Sequence, residues 1–202
     1  MKLALCLPLL ASTLIPAPTH AAEPTEAQKA AIAKIEAAGA SARPIAQNDD
    51  RLEVDYHLAG SSISDEHLAP LKDLPNVVHL NLGNTGITDA GLKNIEGLAT
   101  LTSLHLENTK ITDGALAHLK GLAGLTYLNL YNTPVSDAGL AHLKGLAKLE
   151  KLFVWQTKVT ETGVKDLQKS LPNVKVDTGW KLEDIEPPKK ETESEAKEPN
   201  AN

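Results

Sequence analysis

Two groups of side chains in this sequence are of types that bind ligands or take part in chemistry. The first combines imidazoles with carboxylates, the usual ligands of a divalent metal and a common pair for general acid–base catalysis. It comprises Asp55, His57, His79, His105 and Glu107. The second is aromatic, as at many protein–protein contacts. It comprises Tyr127, Tyr131, Phe153 and Trp155, with Asn129 among them.

Both groups fall on three columns of positions that recur every 24 residues. The first column is predicted to hold Asp55, His79, Ser103, Tyr127 and Lys151. The second is predicted to hold His57, Asn81, His105, Asn129 and Phe153. The third is predicted to hold Ala59, Gly83, Glu107, Tyr131 and Trp155. Residue types change along every column, as expected of a surface carried on a constant framework.

The framework that must position these columns is a repeated unit between residues 52 and 176. Its pattern is L-x-x-L-x-L-x-x-T-x-(I/V)-(T/S)-D-x-G-L-x-x-L-x-G-L, in four full copies preceded by a degenerate one. The L-x-L pair has the period of two of a strand with one buried face. The pattern therefore predicts short strands with leucines inward and the three columns outward. Tyr56 and Leu58 fall on the inward columns of the degenerate copy.

These interlocking columns resemble those of leucine-rich-repeat proteins. The resemblance implies an α/β fold, a solenoid with a parallel concave sheet and short convex helices. No single repeat of such a fold buries its leucines alone, so neighbouring repeats are obligatory.

Polar residues of the repeat are predicted to shape its turns. A threonine column is expected to bond the backbone where the chain leaves the sheet. It consists of Thr85, Thr109, Thr133 and Thr157, with Ser61 before them. Next, a hydroxyl residue followed by an acid is predicted to cap each helix. These pairs are Thr88-Asp89, Thr112-Asp113, Ser136-Asp137 and Thr160-Glu161. Gly97, Gly121 and Gly145 are predicted to end the helices.

The ends of the chain differ from the repeats. Residues 1–21 have the positive start, apolar run and small residues of a cleaved secretory signal, which predicts export to the periplasm or the extracellular space. Residues 22–51 are predicted to cap the solenoid, with a helix over 25–38 and strands over 43–47 and 51–58. Residues 52–180 are predicted to form the repeat domain with its C-terminal cap, which includes Trp180. Residues 181–202 are acidic and rich in proline, and are predicted to be a disordered tail.

Composition narrows the classes of function. Aromatic residues make up only 3% of the chain, so the core of the single expected domain must be aliphatic. The net charge of −6 provides no basic field for nucleic acid or an anionic membrane. Cys6 is the only cysteine and lies in the predicted signal. Disulfides, cysteine-ligated metals, thiol nucleophiles and covalently attached haem are therefore excluded for the mature chain.

A second resemblance concerns the C-terminal half. The run from Leu149 to Trp180 contains Phe153-Val154-Trp155-Gln156-Thr157 and ends in Asp177-Thr178-Gly179-Trp180. It is similar to the repeat tails of secreted planctomycete-type cytochrome proteins. The haem motif of that family is absent here, so redox activity is not implied. Together with His57, His79 and His105 as weak candidate metal ligands, the resemblance suggests an alternative function, a periplasmic metal-binding accessory of a redox system.

The sequence favours a non-enzymatic, exported module that binds a protein or peptide partner through its concave face and needs no cofactor. The residues expected to bind are Tyr127, Asn129, Tyr131, Phe153, Trp155, His105 and Glu107. Packing of Phe153 and Trp155 under the C-terminal cap or the tail is the competing interpretation of those two rings. A hydrolase using Ser103 with a histidine and an acid would require an enclosed pocket.

Overall fold

A computed structural model of the chain describes residues 23–179. The predicted signal segment, Trp180 and the predicted acidic tail lie outside the described residues. No helix within residues 23–179 is long and apolar enough to cross a membrane.

The N-terminal cap begins with helix α1, Glu26–Ala37. The backbone N–H of Gln28 donates to Thr25 Oγ1, and the backbone N–H of Thr25 donates to Gln28 Oε1, which completes a capping box. The helix buries Ala31 and Ile35 against the first repeat. The helix predicted over residues 25–38 is thus confirmed.

A hairpin follows, made of β1 (Ser41–Pro44) and antiparallel β2 (Leu52–Asp55). Both strands are shorter than the sequence pattern predicted. β2 ends at Asp55 because the chain then enters a 3-10 helix at residues 57–62. The connecting turn includes Asn48 in the left-handed conformation.

From β2 onward the sheet is parallel, and its strand order is the chain order β1 to β7. The remaining strands are β3 (Val77–Asn81), β4 (Ser103–His105), β5 (Tyr127–Asn129), β6 (Lys151–Phe153) and β7 (Lys175–Asp177). Residues 24 apart pair from β3 to β7, as in Leu80 with Leu104 and Leu128 with Leu152. These four leucines have no exposed surface. The predicted parallel sheet and aliphatic core are confirmed.

The convex side consists of short helices, as the pattern predicted. Helices α2 (Asp113–Leu116), α3 (Asp137–Leu140) and α4 (Glu161–Ser170) are α-helical. The others are 3-10 segments, at residues 65–73, 91–95, 117–119 and 141–143. A further 3-10 segment, at residues 57–62, directly follows β2. Thr112, Ser136 and Thr160 cap the three α-helices through their side-chain oxygens. Thr88 does not cap a helix, because the 3-10 segment after it begins only at Gly91.

The threonine column has the predicted role. The hydroxyls of Thr85, Thr109 and Thr133 each donate to the carbonyl three residues earlier, at 2.6 Å, and all three residues are buried. Thr157 makes the same bond. Gly97, Gly121 and Gly145 follow directly after the C-cap residues of the 3-10 segments, where they were predicted to end the helices. The left-handed residues of the repeats are instead Asn84, Asn108, Asn132 and Gln156.

The first repeat departs from the predicted register. Glu53 pairs with His79 and Asp55 pairs with Asn81, so the offset between β2 and β3 is 26 residues rather than 24. The 3-10 helix at residues 57–62 accommodates the two extra residues before Ile63 enters the core. Asp55, His57 and Ala59 therefore do not begin the outward columns as predicted.

The same shift overturns the predictions for two further residues, Leu58 and Ser61. Leu58, predicted to be inward, is 88% exposed. Ser61 is exposed, and it is the hydroxyl of Ser62 that donates to the carbonyl of Ala59 at 2.6 Å. Tyr56 is fully buried as predicted, and its phenolic O–H donates to the carbonyl of His67 at 3.0 Å.

Candidate functional site

The strand register defines the columns of the concave face. The first column holds Glu53, His79, Ser103, Tyr127, Lys151 and Lys175. The second holds Asp55, Asn81, His105, Asn129, Phe153 and Asp177. Two residues beyond the strand ends lies a third set, Gly83, Glu107, Tyr131, Trp155 and Gly179. Every residue predicted to bind a partner belongs to one of these sets.

Most members of the second column stabilise the turn after their own strand. The side-chain oxygens of Asp55, Asn81, Asn129 and Asp177 each accept the backbone N–H two residues further on, at 2.8–3.0 Å. This is the Asx turn that aspartate and asparagine favour. Asn129, predicted to bind a partner, thus has its Oδ1 engaged by the N–H of Tyr131.

His105 and Phe153 interrupt this column with rings. The His105 ring lies 4.8 Å from the Tyr127 ring, centroid to centroid, and the Tyr127 ring lies 5.3 Å from the Phe153 ring. Their tilted packing is within the range of favourable ring contacts. A separate pair is formed by Tyr131 and Trp155, whose ring centroids are 5.2 Å apart. We call these five side chains the aromatic rows.

The aromatic rows are partly accessible. Tyr127, Tyr131 and Phe153 are half-buried, whereas Trp155 is 43% exposed. A Cβ atom added to Gly179, which has a φ of +84°, would collide with the Trp155 indole. Trp155 therefore packs partly on the chain after β7, as the competing interpretation expected, and still presents surface to solvent.

Glu107 occupies an unusual position beside the aromatic rows. Only 17% of its side chain is exposed, and Oε1 lies so close to Gly83 that a Cβ atom there would be 2.6 Å away. Oε2 is buried without a hydrogen-bond partner. The nearest ionisable nitrogen is His105 Nδ1, 3.5 Å from Oε2. The carboxylate fits here because residue 83 is a glycine, and any larger residue would clash with it.

The Glu107 carboxyl nevertheless favours its ionised form. Burial acts to raise its pKa, but the His105 imidazole 3.5 Å away, its own backbone N–H and the positive charges of protonated His105 and His57 hold the pKa below its usual value. Burial raises the pKa of Tyr127, and the Glu107 charge adds to that rise. The face thus carries a localised negative charge among aromatic rings.

The structure does not bring the histidines together as the metal interpretation required. Because of the register shift, the strand neighbour of His79 is Glu53 rather than His57. His57 lies in the 3-10 helix, where its Nδ1 is 2.8 Å from Asn84 Nδ2. Within residues 23–179 no group of three histidine, cysteine, aspartate or glutamate residues could hold a metal ion. The redox-accessory alternative has no support from this arrangement.

The aspartates that were predicted only to lie at helix starts also form hydrogen bonds between neighbouring repeats. Their carboxylates each accept both the backbone N–H and the hydroxyl of a residue in the next repeat, at 2.5–2.7 Å. The pairs are Asp65 with Thr88, Asp89 with Thr112, Asp113 with Ser136 and Asp137 with Thr160. We call this series the carboxylate ladder. The recurring hydroxyl–acid dipeptide was its sequence signal.

A second ladder was missed entirely. Asn108 Nδ2 donates to Asn84 Oδ1, and Asn132 Nδ2 donates to Asn108 Oδ1, both at 2.8 Å. These residues have φ values of 51–59°, which asparagine tolerates better than most residues. The recurring Asn-Thr dipeptide at 24-residue spacing was its available signal.

Cavities on the concave face are small where the histidines lie. The cavity over β2, β3 and β4 has a volume of about 100 Å³. Small-molecule sites are commonly about 300–1,000 Å³. A larger cavity of about 690 Å³ lies away from this face, beside the N-terminal cap, between α1 and the β1–β2 hairpin. Ser103 lines the small cavity over β2, β3 and β4.

Comparison with known proteins gives one family match, to a model described as "Leucine Rich repeat", over residues 73–95 and 97–119. No curated protein sequence matches the chain. Similar solved structures include internalin C2 of Listeria monocytogenes, with 26% identity, 54% of each chain covered and a TM-score of 0.41. An internalin (inlF) of the same organism has 23% identity, with 54% of this chain and 36% of that chain covered, and a TM-score of 0.40.

A leucine-rich-repeat protein of Leptospira interrogans has 19% identity, with 54% of this chain and 33% of that chain covered, and a TM-score of 0.40. This chain therefore spans about half of internalin C2 and about a third of the other two. The repeats matched by the family model and the parallel sheet with convex helices identify the fold as a leucine-rich-repeat solenoid. Such solenoids typically present a concave surface for binding.

Proposed function

We propose that this protein is an exported, non-enzymatic module that binds a protein or peptide partner through its concave face. The observation that carries the proposal is the pair of aromatic rows, in which His105 and Phe153 interrupt a column otherwise used for turn formation. Stacked tyrosine, tryptophan and phenylalanine rings present large contact areas at a low cost in conformational entropy. Tyr131 and Trp155 are the expected centre of the contact.

A protein or peptide fits this surface better than a small substrate does. The aromatic rows extend over three adjacent strands, β4 to β6, and parallel strands are about 4.8 Å apart. An extended or helical segment could lie across several strands at once, whereas the cavities on this face are separate, about 100 Å³ over β2 to β4 and about 400 Å³ over β6 and β7. Export is proposed on the sequence of residues 1–21 alone.

Site-specific cross-linking in intact cells tests both parts of the proposal. A benzoylphenylalanine placed at position 131 is expected to give a discrete protein adduct, and one placed at Lys93, exposed on a convex 3-10 segment, is not. Recovered protein is expected to begin at Ala22. Adducts of equal yield at both positions would contradict concave-face binding, and cytosolic protein retaining Met1 would contradict export.

A matched pair of variants tests the residues. Combining Tyr131→Ala with Trp155→Ala is expected to weaken binding of the captured partner by at least about 30-fold, since central aromatic residues often contribute about 2 kcal/mol or more. Leu58→Ala removes another exposed hydrophobic side chain, outside the aromatic rows, and is expected to leave binding unchanged. Unchanged affinity in the double variant would overturn the site assignment.

A further inference from the structure

Glu107 is a charged group whose surroundings leave it incompletely paired. Its Oε2 is buried and accepts no hydrogen bond. Within residues 23–179, His105 provides its only ion-pair contact, at 3.5 Å. Buried charges in proteins are normally paired and hydrogen-bonded, because removing them from water is costly. An incompletely paired carboxylate in the middle of a candidate binding face is what a complementary group from a partner would satisfy.

We propose that Glu107 receives a cationic group, the ammonium or guanidinium of a lysine or arginine side chain of the bound polypeptide. This inference rests on the proposed function and deepens it by naming the chemistry of the partner. An ionised carboxylate only accepts hydrogen bonds, so its partner must supply donors, and a cation also compensates its charge.

The surroundings of Glu107 suit the rest of such a side chain. Glu107 lies two residues beyond His105, whose ring is 4.8 Å from the Tyr127 ring, and Tyr131 occupies the position of Glu107 in the next repeat. The negative charge of Glu107 contributes to the raised pKa of Tyr127. The methylene groups of lysine or arginine pack favourably on apolar and aromatic surface, and the charged end is attracted to ring faces.

The rest of the face does not already supply this cation. Lys151 and Lys175 lie on β6 and β7, two and three strands from Glu107, and both are exposed. At about 4.8 Å per strand, their backbones are about 10 Å or more from that of β4. Gly83, on the other side, has no side chain at all. Within residues 23–179, no lysine or arginine forms an ion pair with Glu107, and its only cationic neighbour at ion-pair distance is the titratable His105.

The inference is tested by selecting peptides from a random library displayed on phage, using the full mature chain as bait. The unmodified protein is expected to enrich peptides with lysine or arginine at one fixed position beside apolar residues. The Glu107→Gln variant is expected to lose that preference. The Glu53→Gln variant, which removes the same charge from the far end of the same face, is expected to keep it.

Affinity measurements on one selected peptide locate the contact. Glu107→Gln is expected to weaken binding by at least about 10-fold, as for truncation of one member of a partly buried charge pair. Replacing the cationic residue of the peptide with norleucine is expected to weaken binding to the unmodified protein similarly, and to have little further effect on Glu107→Gln. The norleucine peptide tests the contact without altering the protein, so a folding defect in the variant cannot mimic the result.

The outcomes separate this inference from the proposed function. Enriched peptides without a fixed cationic position, or a preference that survives Glu107→Gln, would overturn the cation inference alone. Failure to enrich any peptide, together with no adduct at position 131, would overturn the proposed function and this inference with it.

Discussion

Polar side chains are fully hydrogen-bonded in the carboxylate ladder, whereas on the concave face one of them is not. In the carboxylate ladder, both oxygens of Asp113 are engaged by one serine of the next repeat, and the other three acids follow the same rule. On the concave face, residue types vary along the columns, and Glu107 keeps a buried oxygen without a hydrogen bond. A polar residue that recurs is thus part of the framework, and one that departs from its column is a candidate for function.

The second column of the concave face shows the same contrast within a single set of positions. Where it holds aspartate or asparagine, the side chain completes a turn. Where it holds His105 or Phe153, the side chain joins the aromatic rows. Three predictions test this comparison, since each variant removes one polar group and the change in the free energy of unfolding shows what that group contributes.

The largest loss of stability is expected from Asp113→Ala. It removes the acceptor of the Ser136 N–H and hydroxyl, at 2.7 and 2.6 Å. Because hydrogen bonds to charged groups contribute about 1.5–3 kcal/mol each, the free energy of unfolding should fall by about 3 kcal/mol. Urea unfolding measures the change. Glu150→Ala, at an exposed site before β6, is the matched control and should change stability by less than about 0.5 kcal/mol. Equal effects at both sites would refute a structural role for the ladder.

A smaller loss is expected from Thr133→Val, which keeps the shape of the side chain and removes the hydroxyl that donates to Leu130 O. The site is 3% exposed, so water cannot replace the bond, and the expected loss is about 1–2 kcal/mol. Thr157→Val removes the equivalent bond and one accepted from the Val159 N–H at 3.2 Å, but at a half-buried site where water can replace them, and should cost less. Thermal unfolding of the two variants compares them directly, and a larger loss at Thr157 would contradict the argument from burial.

The smallest effect is expected from Glu107→Gln, and it depends on pH. Because the pKa of Glu107 in the folded protein is below its usual value of 4.5, its ionised form stabilises the fold above that value. This contribution is lost as the pH falls through the folded-state pKa. The unmodified protein should therefore lose more stability than the variant between about pH 5 and about pH 3. Parallel curves of unfolding midpoint against pH would show that Glu107 does not take part.

Much of the fold could be predicted from the sequence because its physical causes are local and repeated. The alternation of Leu80 and Leu82 indicates a strand, Thr25 and Gln28 indicate a helix start, and the 24-residue period fixes the register of β3 to β7. The first repeat could not be predicted in the same way. Its 3-10 helix adds two residues between β2 and Ile63, and no local pattern distinguishes a longer turn from a degenerate repeat.

The candidate site was predicted in part. The aromatic residues and Glu107 were expected on the concave face, and the register places them there. The engagement of Asn129 by the Tyr131 N–H and the packing of Trp155 on Gly179 were not foreseen, because both depend on how the chain turns after a strand. Glu53, rather than the predicted His57, lies beside His79, because the register of the first repeat is shifted.

The sequence by itself determined the repeating framework, since the spacing of leucines, threonines and acids is a property of the chain. Only the tertiary structure decided which polar groups are satisfied, because that depends on contacts between neighbouring repeats. Asp113 and Glu107 are both acids on the same scaffold. Stacking gives one of them two hydrogen-bond donors and leaves the other buried beside His105 with an oxygen still unpaired.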